Sequence, residues 1–373
     1  MSQESASMPE NQDTVAVDTA LSHPVDPSSE ESLTGRLVRL SFLLGLLGPV
    51  GFLGSLQSIH WAFELAELFY ICFLFFLVPP ALILLSVVRD GIRAVSQRLT
   101  GAKEDSESTH DDDDPRSWIT MGYEPTLLKN LQFVALIVHP NIAIRGLFQM
   151  AGAIIAYLRH GGRLPSPETF ESAVEYRPPF DGEWAVVNGS TDKQYSHSWF
   201  PVRQRYAYDF VITDEDGSTH DGGSDLESFY CFDEPILAPA DGTVVRAKDG
   251  HRDHHRTTGW VDPLQYRLAG NYVVIEHAEN EYSFLAHLAE GSVCVEPGEE
   301  VSQGQEIGRC GHSGNSSEPH LHFHVQDHSV PYVGAGLPIQ FEAATDHPDL
   351  EQTDREPTYI HCGQTVAYDS TPG

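Results

Sequence analysis

Beyond residue 161 the chain carries no long helical pattern. It carries short runs rich in Val, Ile, Tyr and Phe, each closed by a Gly, Asp or Pro turn, at residues 184–187, 207–212, 235–237, 243–247, 272–276, 282–287, 293–295, 306–309 and 320–325. Runs of this length between turn residues read as strands. Strands that follow one another without intervening helices pair antiparallel. Residues 184–343 are therefore expected to form an all-β domain, an antiparallel β-sandwich or barrel-like duplicated hairpin. Pro165, Pro167, Pro178 and Pro179 mark a linker over residues 161–183, and residues 344–373 read as an acidic C-terminal tail.

The densest chemistry sits in the last of these runs. Ser313-Gly314-Asn315-Ser316-Ser317-Glu318-Pro319 is a turn, and His320-Leu321-His322-Phe323-His324 continues as a strand. Side chains alternate across a strand, so His320, His322 and His324 share one face and Leu321 and Phe323 the other. Neutral imidazoles side by side on a rigid strand suit zinc. The competing reading is a polar face that happens to carry histidines. Two turn-rich strand pairs, residues 235–245 and 295–308, echo one another. Biotinyl and lipoyl carrier domains also use paired hairpins, but they present a lysine at a hairpin tip, and neither tip has one here.

The N-terminal part has a different texture. Residues 1–34 are polar, acidic and serine-rich and read as disordered. They lack the basic start and cleavage site of a secretory signal peptide. Residues 37–56 and 65–88 are nearly continuous apolar runs, each about the ~20 residues that cross a bilayer. Two transmembrane α-helices are thus expected within residues 35–90, which makes the chain a multi-pass protein of the cell membrane. Arg36 and Arg39 precede the first run, Arg89, Arg93, Arg98 and Lys103 follow the second, and the link between them carries no Lys or Arg. That bias puts both ends on the cytoplasmic side. Residues 91–126 form a charged linker containing Asp111-Asp112-Asp113-Asp114. Residues 127–160 are apolar again but carry Arg145. They read as a third span or as amphipathic helices lying on the membrane or on the β domain. An arginine in mid-span is costly, and the choice decides which side the β domain occupies.

The formal net charge is −32, with four lysines against eighteen arginines. No basic patch offers a nucleic-acid site. A lysine-poor, acidic surface resembles that of salt-adapted microbes, notably haloarchaea, where concentrated salt screens the repulsion. Five cysteines without a CxxC pair make neither a disulfide framework nor a cysteine zinc knuckle. A Cys294–Cys310 bridge is compatible with the sequence.

Six blocks, in order and spacing, resemble the lysostaphin and LytM-type zinc metallopeptidases: residues 206–210, 238–245, 270–277, 282–288, 298–308 and 311–324. In that family a His and an Asp of an HxxxD motif and the second His of HxH hold zinc. The resemblance implies Asp209 and His322 as ligands, with His320 and His287 flanking the reacting water. Four residues before Asp209, where the family has its first histidine, stands Arg205. A guanidinium stays protonated and does not ligate zinc. His197, in a Ser-His-Ser-Trp stretch resembling one branch of the family, is the candidate replacement, against the reading of an ordinary turn histidine. His324 is a further candidate, against a surface-facing strand position. His251, His254 and His255 read as a solvated loop, His277 as structural, and His312 and Asn315 as possible contacts at a cleft rim.

The resemblance implies a membrane-anchored zinc metalloendopeptidase acting on a peptide or envelope-protein substrate. The alternative is a catalytically degenerate domain of the same fold that binds or scaffolds partners, and Arg205 is the feature that favours it.

Overall fold

The computed structural model describes residues 114–122, 140–196, 199, 201–257, 267–342, 344–346 and 357–368, with single helical positions between residues 36 and 89. The chain divides into two units, Met1–Pro79 and Pro80–Gly373, and the β domain belongs to the second. The apolar runs at 37–56 and 65–88 lie outside the described residues apart from those single positions. Among the described residues no helix is long and apolar enough to cross a membrane.

The strands are β1 (Gly182–Asn188), β2 (Tyr208–Val211), β3 (Pro235–Leu237), β4 (Gly242–Lys248), β5 (Asn271–Ala278), β6 (Glu281–Leu288), β7 (Glu300–Val301), β8 (Glu306–Arg309), β9 (Leu321–Gln326), β10 (Gly336–Leu337), β11 (Ala344–Asp346) and β12 (Thr365–Tyr368). Ten of them form one sheet in the order β11-β12-β1-β2-β9-β6-β5-β4-β7, with β10 paired to β9, while β3 and β8 pair separately. The ladders are antiparallel, as expected of short strands joined by tight turns. The β5–β6 hairpin closes on Ala278↔Glu281, with Asn280 at φ 64° in the left-handed region that two-residue hairpin turns require.

Alternation sorts the two faces. Leu321, Phe323 and Val325 of β9 join Tyr208, Phe210, Leu285, Val273 and Ile275 in the main core. On the opposite face Val274, Phe284 and Ala286 form a smaller cluster, and Phe284 and Ala286 border the cleft that also holds Asp209 and His322. A one-residue slip of β9 would bury its histidines in the apolar core, so the packed face sets the register of the polar one.

Two expected boundaries differ. Residues 161–183 are more than a linker: Tyr176 and Phe180 are fully buried, and Phe180 stacks on Trp184 at 4.7 Å. Residues 344–373 are more than a tail, because β11 and β12 extend the sheet through β1, with Trp184 opposite Val366.

Within residues 127–160 the described part is helix α1 (Pro140–Arg159). It lies on the β domain. A Cβ at Gly152 would come within 1.6 Å of the Tyr332 carbonyl oxygen, so only glycine permits this approach. Ala153 and Ala156 pack with Val202 and Ala335, and Arg159 and His160 both bind the Asp327 carboxylate, at 3.1 and 2.6 Å. The other side of the helix exposes Ile154, Ile155 and Leu158, the last by 76%, while Phe148, one turn before Gly152, has its ring 6.4 Å from that of Tyr332.

Candidate active site

A cleft of about 560 Å³ opens on the polar face of the sheet. Strands β2, β9 and β6 build its floor. Register places Asp209 beside His322, and His322 beside Ala286, whose small side chain leaves the imidazole room. His287 and His320 enter from the ends of β6 and of the turn before β9, and their rings lie 4.9 Å apart. The structure thus brings Asp209, His287, His320 and His322 together in one cleft. His197 lies outside the described residues.

Hydrogen bonds determine which ring nitrogens face the cleft. His287 Nδ1 lies 2.7 Å from the Ser313 carbonyl oxygen, and His320 Nδ1 lies 2.8 Å from that of Glu318. A carbonyl only accepts, so each Nδ1 carries a proton, and in the neutral ring Nε2 is the acceptor. His320 Nε2 sits 3.8 Å from Asp209 Oδ1. His287 adopts φ 62°, a strained left-handed conformation for a residue with a side chain, of the kind that concentrates at functional sites. Burial, followed by its His320 and His322 neighbours, holds its pKa well below the usual imidazole value. The turn approaches β5 closely because Gly314 (φ 81°) faces Gly270, where an added Cβ would lie 2.3 Å from the Gly270 nitrogen.

The surroundings of His322 are ordered from the far end of its strand. Gln326 Nε2 donates to the His328 carbonyl oxygen at 2.6 Å, so Gln326 Oε1 is the atom facing His324 Nε2 at 3.1 Å. His324 therefore donates from Nε2. It is fully buried, stacked on Phe284, and burial holds its pKa well down. In the neutral ring its Nδ1 is an acceptor, 3.1 Å from His322 Nε2. His322 Nε2 faces this acceptor at 3.1 Å and the Gln204 amide nitrogen, a donor, at 3.3 Å, so its two neighbours ask for opposite tautomers. His322 Nδ1 lies 2.7 Å from Asp209 Oδ1. A proton on Nδ1 makes that contact a hydrogen bond to the carboxylate, and without it both atoms can ligate a metal ion.

A carboxylate beside an imidazole nitrogen is a donor set that fits zinc, but zinc takes three protein ligands. Among the described residues no three His, Cys, Asp or Glu side chains form a group able to hold a metal ion. Arg205 does not line the cleft, and its guanidinium lies 5.0 Å over the Trp199 ring. The residues on either side of positions 197–198 are anchored nearby. Ser196 Oγ donates to the Arg205 carbonyl oxygen at 3.3 Å, and the Trp199 ring meets Tyr206 edge-on at 5.6 Å.

Several histidines stand differently from the sequence expectation. His324 is buried under the site, whereas strand alternation alone suggested a surface position. His251 and His254 are buried rather than solvated. His312 is fully buried beneath the turn and not at the rim, while Asn315 does line the cleft. His277 is held by the Asp241 carbonyl oxygen and Ser283 Oγ, at 2.8 and 2.7 Å. The described cysteines are all free thiols, so Cys294 and Cys310 are not bridged: Cys294 is exposed, and the buried Cys310 thiol lies within hydrogen-bonding reach of the Cys231 thiol.

Sequence reasoning missed Asn188, Arg203, Gln204 and Gln149, which line the cleft. It also missed a strap at residues 114–122. Thr120 bridges to Ser218, Trp118 Nε1 donates to the Gly363 carbonyl oxygen at 2.8 Å, and Arg116, Ile119 and Met121 border the cleft. Glu318 secures its end. The carboxylate is fully buried, Oε2 accepts the Gly122 N–H at 2.7 Å, and Oε1 completes no hydrogen bond. Burial pushes the Glu318 pKa up to about 7.

Comparison with known proteins bears on the same region. Residues 221–333 match the model of Peptidase family M23. The peptidoglycan DD-endopeptidase ShyA of Vibrio cholerae is 26% identical over 221 residues, 58% of this chain and 43% of the relative. The peptidoglycan DD-endopeptidase ShyB of the same organism is 40% identical over 107 residues, 28% of this chain and 21% of the relative. The chain thus spans less than half the length of either. A crystal structure of a zinc-containing peptidase from Vibrio cholerae is 22% identical, covers 44% of this chain and 39% of that one, and superposes with a TM-score of 0.27. Both the family model and the two sequence relatives are peptidases, and the likeness to the family model lies over residues 221–333.

Proposed function

We propose that the β domain is a zinc-dependent endopeptidase of the M23 type, its metal held by Asp209, His322 and His197. The observation that carries this reading is the pairing of His322 Nδ1 with Asp209 Oδ1 at 2.7 Å beneath two further imidazoles. Zinc bound by such ligands acidifies water and polarises a scissile carbonyl. His320 and His287 supply the proton chemistry. Each keeps Nδ1–H on a backbone carbonyl and presents Nε2 to the cleft, so each is oriented to take a proton there. The ring that has taken the proton becomes a donor, able to steady a developing oxyanion or protonate the leaving amine. Ser196 and Trp199, anchored on Arg205 and Tyr206, support His197 as the third ligand.

The names of the two Vibrio relatives support a cross-linked cell-envelope peptide as the substrate class. An envelope protein is the substrate in an organism without peptidoglycan. The apolar runs at 37–56 and 65–88 support anchoring in the cell membrane, and the exposed Ile154, Ile155 and Leu158 support a bilayer contact for α1. Arg205 favours a second reading, a domain that keeps the fold and binds without cleaving. The full chain, in high salt and with zinc supplied, is expected to release new amino groups from cross-linked peptidoglycan or from oligoglycine and oligoalanine peptides. A chelator should abolish the release and zinc restore it. Cleavage indifferent to chelation contradicts the zinc reading, and binding without cleavage supports the second one.

A further inference from the structure

The charges that border the cleft run against those of the chain. The chain carries 54 Asp and Glu against 22 Lys and Arg. Among the described residues that line the cleft, Asp209 is the only carboxylate, and it pairs with His322. Two arginines line the same cleft, Arg116 and Arg203. Arg116 brings its own acid: its Nε and a terminal nitrogen donate to the two oxygens of Asp114, at 2.9 and 2.7 Å. Arg203 has no such partner. Among the described residues its guanidinium forms no ion pair and no hydrogen bond. It lies over the Tyr332 ring, 5.2 Å from the ring centre. A ring face attracts the charge but offers the N–H donors no oxygen. Arg203 is half-buried, and burial lowers its pKa, although a guanidinium keeps its proton. Its charge is thus partly withdrawn from water, with no described carboxylate to offset the cost. The tight turn Val202–Gln204 fixes where it stands, and the next side chain along, Gln204, reaches His322 Nε2 at 3.3 Å. Strand β10 closes on this turn: a Cβ added at Gly336 would lie 2.8 Å from the Arg203 carbonyl oxygen.

We propose that Arg203 is the carboxylate-binding group of the cleft, a specificity-determining residue that selects an anionic peptide with a carboxylate near the scissile bond. This rests on the reading of the cleft as a peptidase site. A carboxylate presents two oxygens that match two N–H groups of a guanidinium in one plane. A side-chain carboxylate and a C-terminal one present the same two oxygens. Gln149, Asn315 and Ser317 also line the cleft. Their neutral side chains suit peptide N–H and C=O groups, which leaves the charged group of the substrate to Arg203. The long-range field of a chain with net charge −32 disfavours an anionic peptide, so the overall charge alone predicts the opposite preference.

The test is cleavage of short oligoalanine peptides by the full chain, supplied with zinc in high salt. One position at a time is made glutamate or its uncharged isostere glutamine, and each peptide is made as the C-terminal acid and the C-terminal amide. Glutamate against glutamine reads a side-chain carboxylate, and acid against amide reads a terminal one. In the wild type kcat/KM is expected to be about 10- to 100-fold higher for the carboxylate member of at least one pair, the worth of a hydrogen bond to a charged group. Arg203→Gln should bring that ratio to about one. Arg203→Lys keeps the charge and loses the fork, so its ratio should fall between the two, and it keeps the test alive if Arg203→Gln does not fold. Each ratio is taken within one protein, so a general loss of activity cancels. Equal rates on the two members of every pair in the wild type, or a wild-type ratio retained in Arg203→Gln, overturns the proposal. If the wild-type chain cleaves none of the peptides, calorimetric binding of the same pairs replaces kcat/KM. A carboxylate preference that Arg203→Gln loses then supports the Arg203 role and overturns the peptidase reading, and no preference overturns both.

Discussion

Replacing His320 with alanine is expected to lower peptide cleavage by about 10²–10⁴-fold, the usual contribution of one positioned proton acceptor. Zinc content should not change. The two halves of that expectation come from different atoms. His320 presents Nε2 to the cleft from a ring held by the Glu318 carbonyl and Ser316, while the proposed metal ligands include Asp209 and His322, paired at 2.7 Å. His287→Ala should give a smaller loss if the two imidazoles share the proton work, because either ring alone offers an unprotonated Nε2. The check is kcat with metal content measured on the same sample. Full activity in His320→Ala contradicts the assignment, and loss of zinc from His320→Ala would make that side chain a ligand.

Replacing Glu318 with glutamine is expected to change how stability depends on pH. Burial raises the Glu318 pKa from 4.5 to about 7. A carboxyl whose pKa rises on folding binds its proton more tightly in the native state. Its contribution is therefore fully present below pH 4.5 and is lost as pH rises toward 7. At about 1.4 kcal/mol per unit, the shift corresponds to about 3 kcal/mol. The Gly122 N–H on Oε2 offsets only part of the cost of ionising in the interior, and burial outweighs it. Glu318→Gln keeps an oxygen for Gly122 and cannot ionise. Unfolding measured at pH 5 and pH 8 should show the wild type losing stability between them and the variant losing about 3 kcal/mol less. Equal losses contradict the buried, ionising Glu318. Because the same residue holds the strap beside the cleft, hydrogen exchange at residues 114–122 should speed up with pH in the wild type and less so in Glu318→Gln.

The polar face of β9 was legible because its partner residues are written in alternation. Leu321, Phe323 and Val325 must be buried together, which puts His322 on the other face and, through the β2 register, beside Asp209. The β5–β6 hairpin was legible for the same reason. Residues 365–368 were not, because four residues in an acidic setting become a strand only through pairing with β1, and such long-range pairing leaves no local pattern. Tyr176 and Phe180 lie in a proline-rich stretch whose composition reads as linker, and only long-range packing makes them core, Phe180 on Trp184 and Phe210 and Tyr176 on His277. At His324, alternation identifies the face but not what covers it. Burial comes from Phe284 and from Gln326, two residues along the same strand. The strap was hidden because its docking depends on two remote glycines, Gly217 and Gly363, where an added Cβ would come within 2.1 and 2.2 Å of the Trp118 and Pro115 carbonyl oxygens. Gln204 stood next to Arg205 in plain view, but its reach to His322 depends on the tight turn at Val202–Gln204.

The measurement that bears most directly on the zinc peptidase is the metal content of the purified full chain in high salt, by mass spectrometry, beside His322→Ala and His197→Ala. One zinc per chain is expected, lost in both variants while each remains folded. Zinc lost with His322→Ala alone would remove His197 from the ligand set. A folded parent chain that takes up no zinc when it is supplied would contradict the peptidase and leave a binding domain built on the same fold.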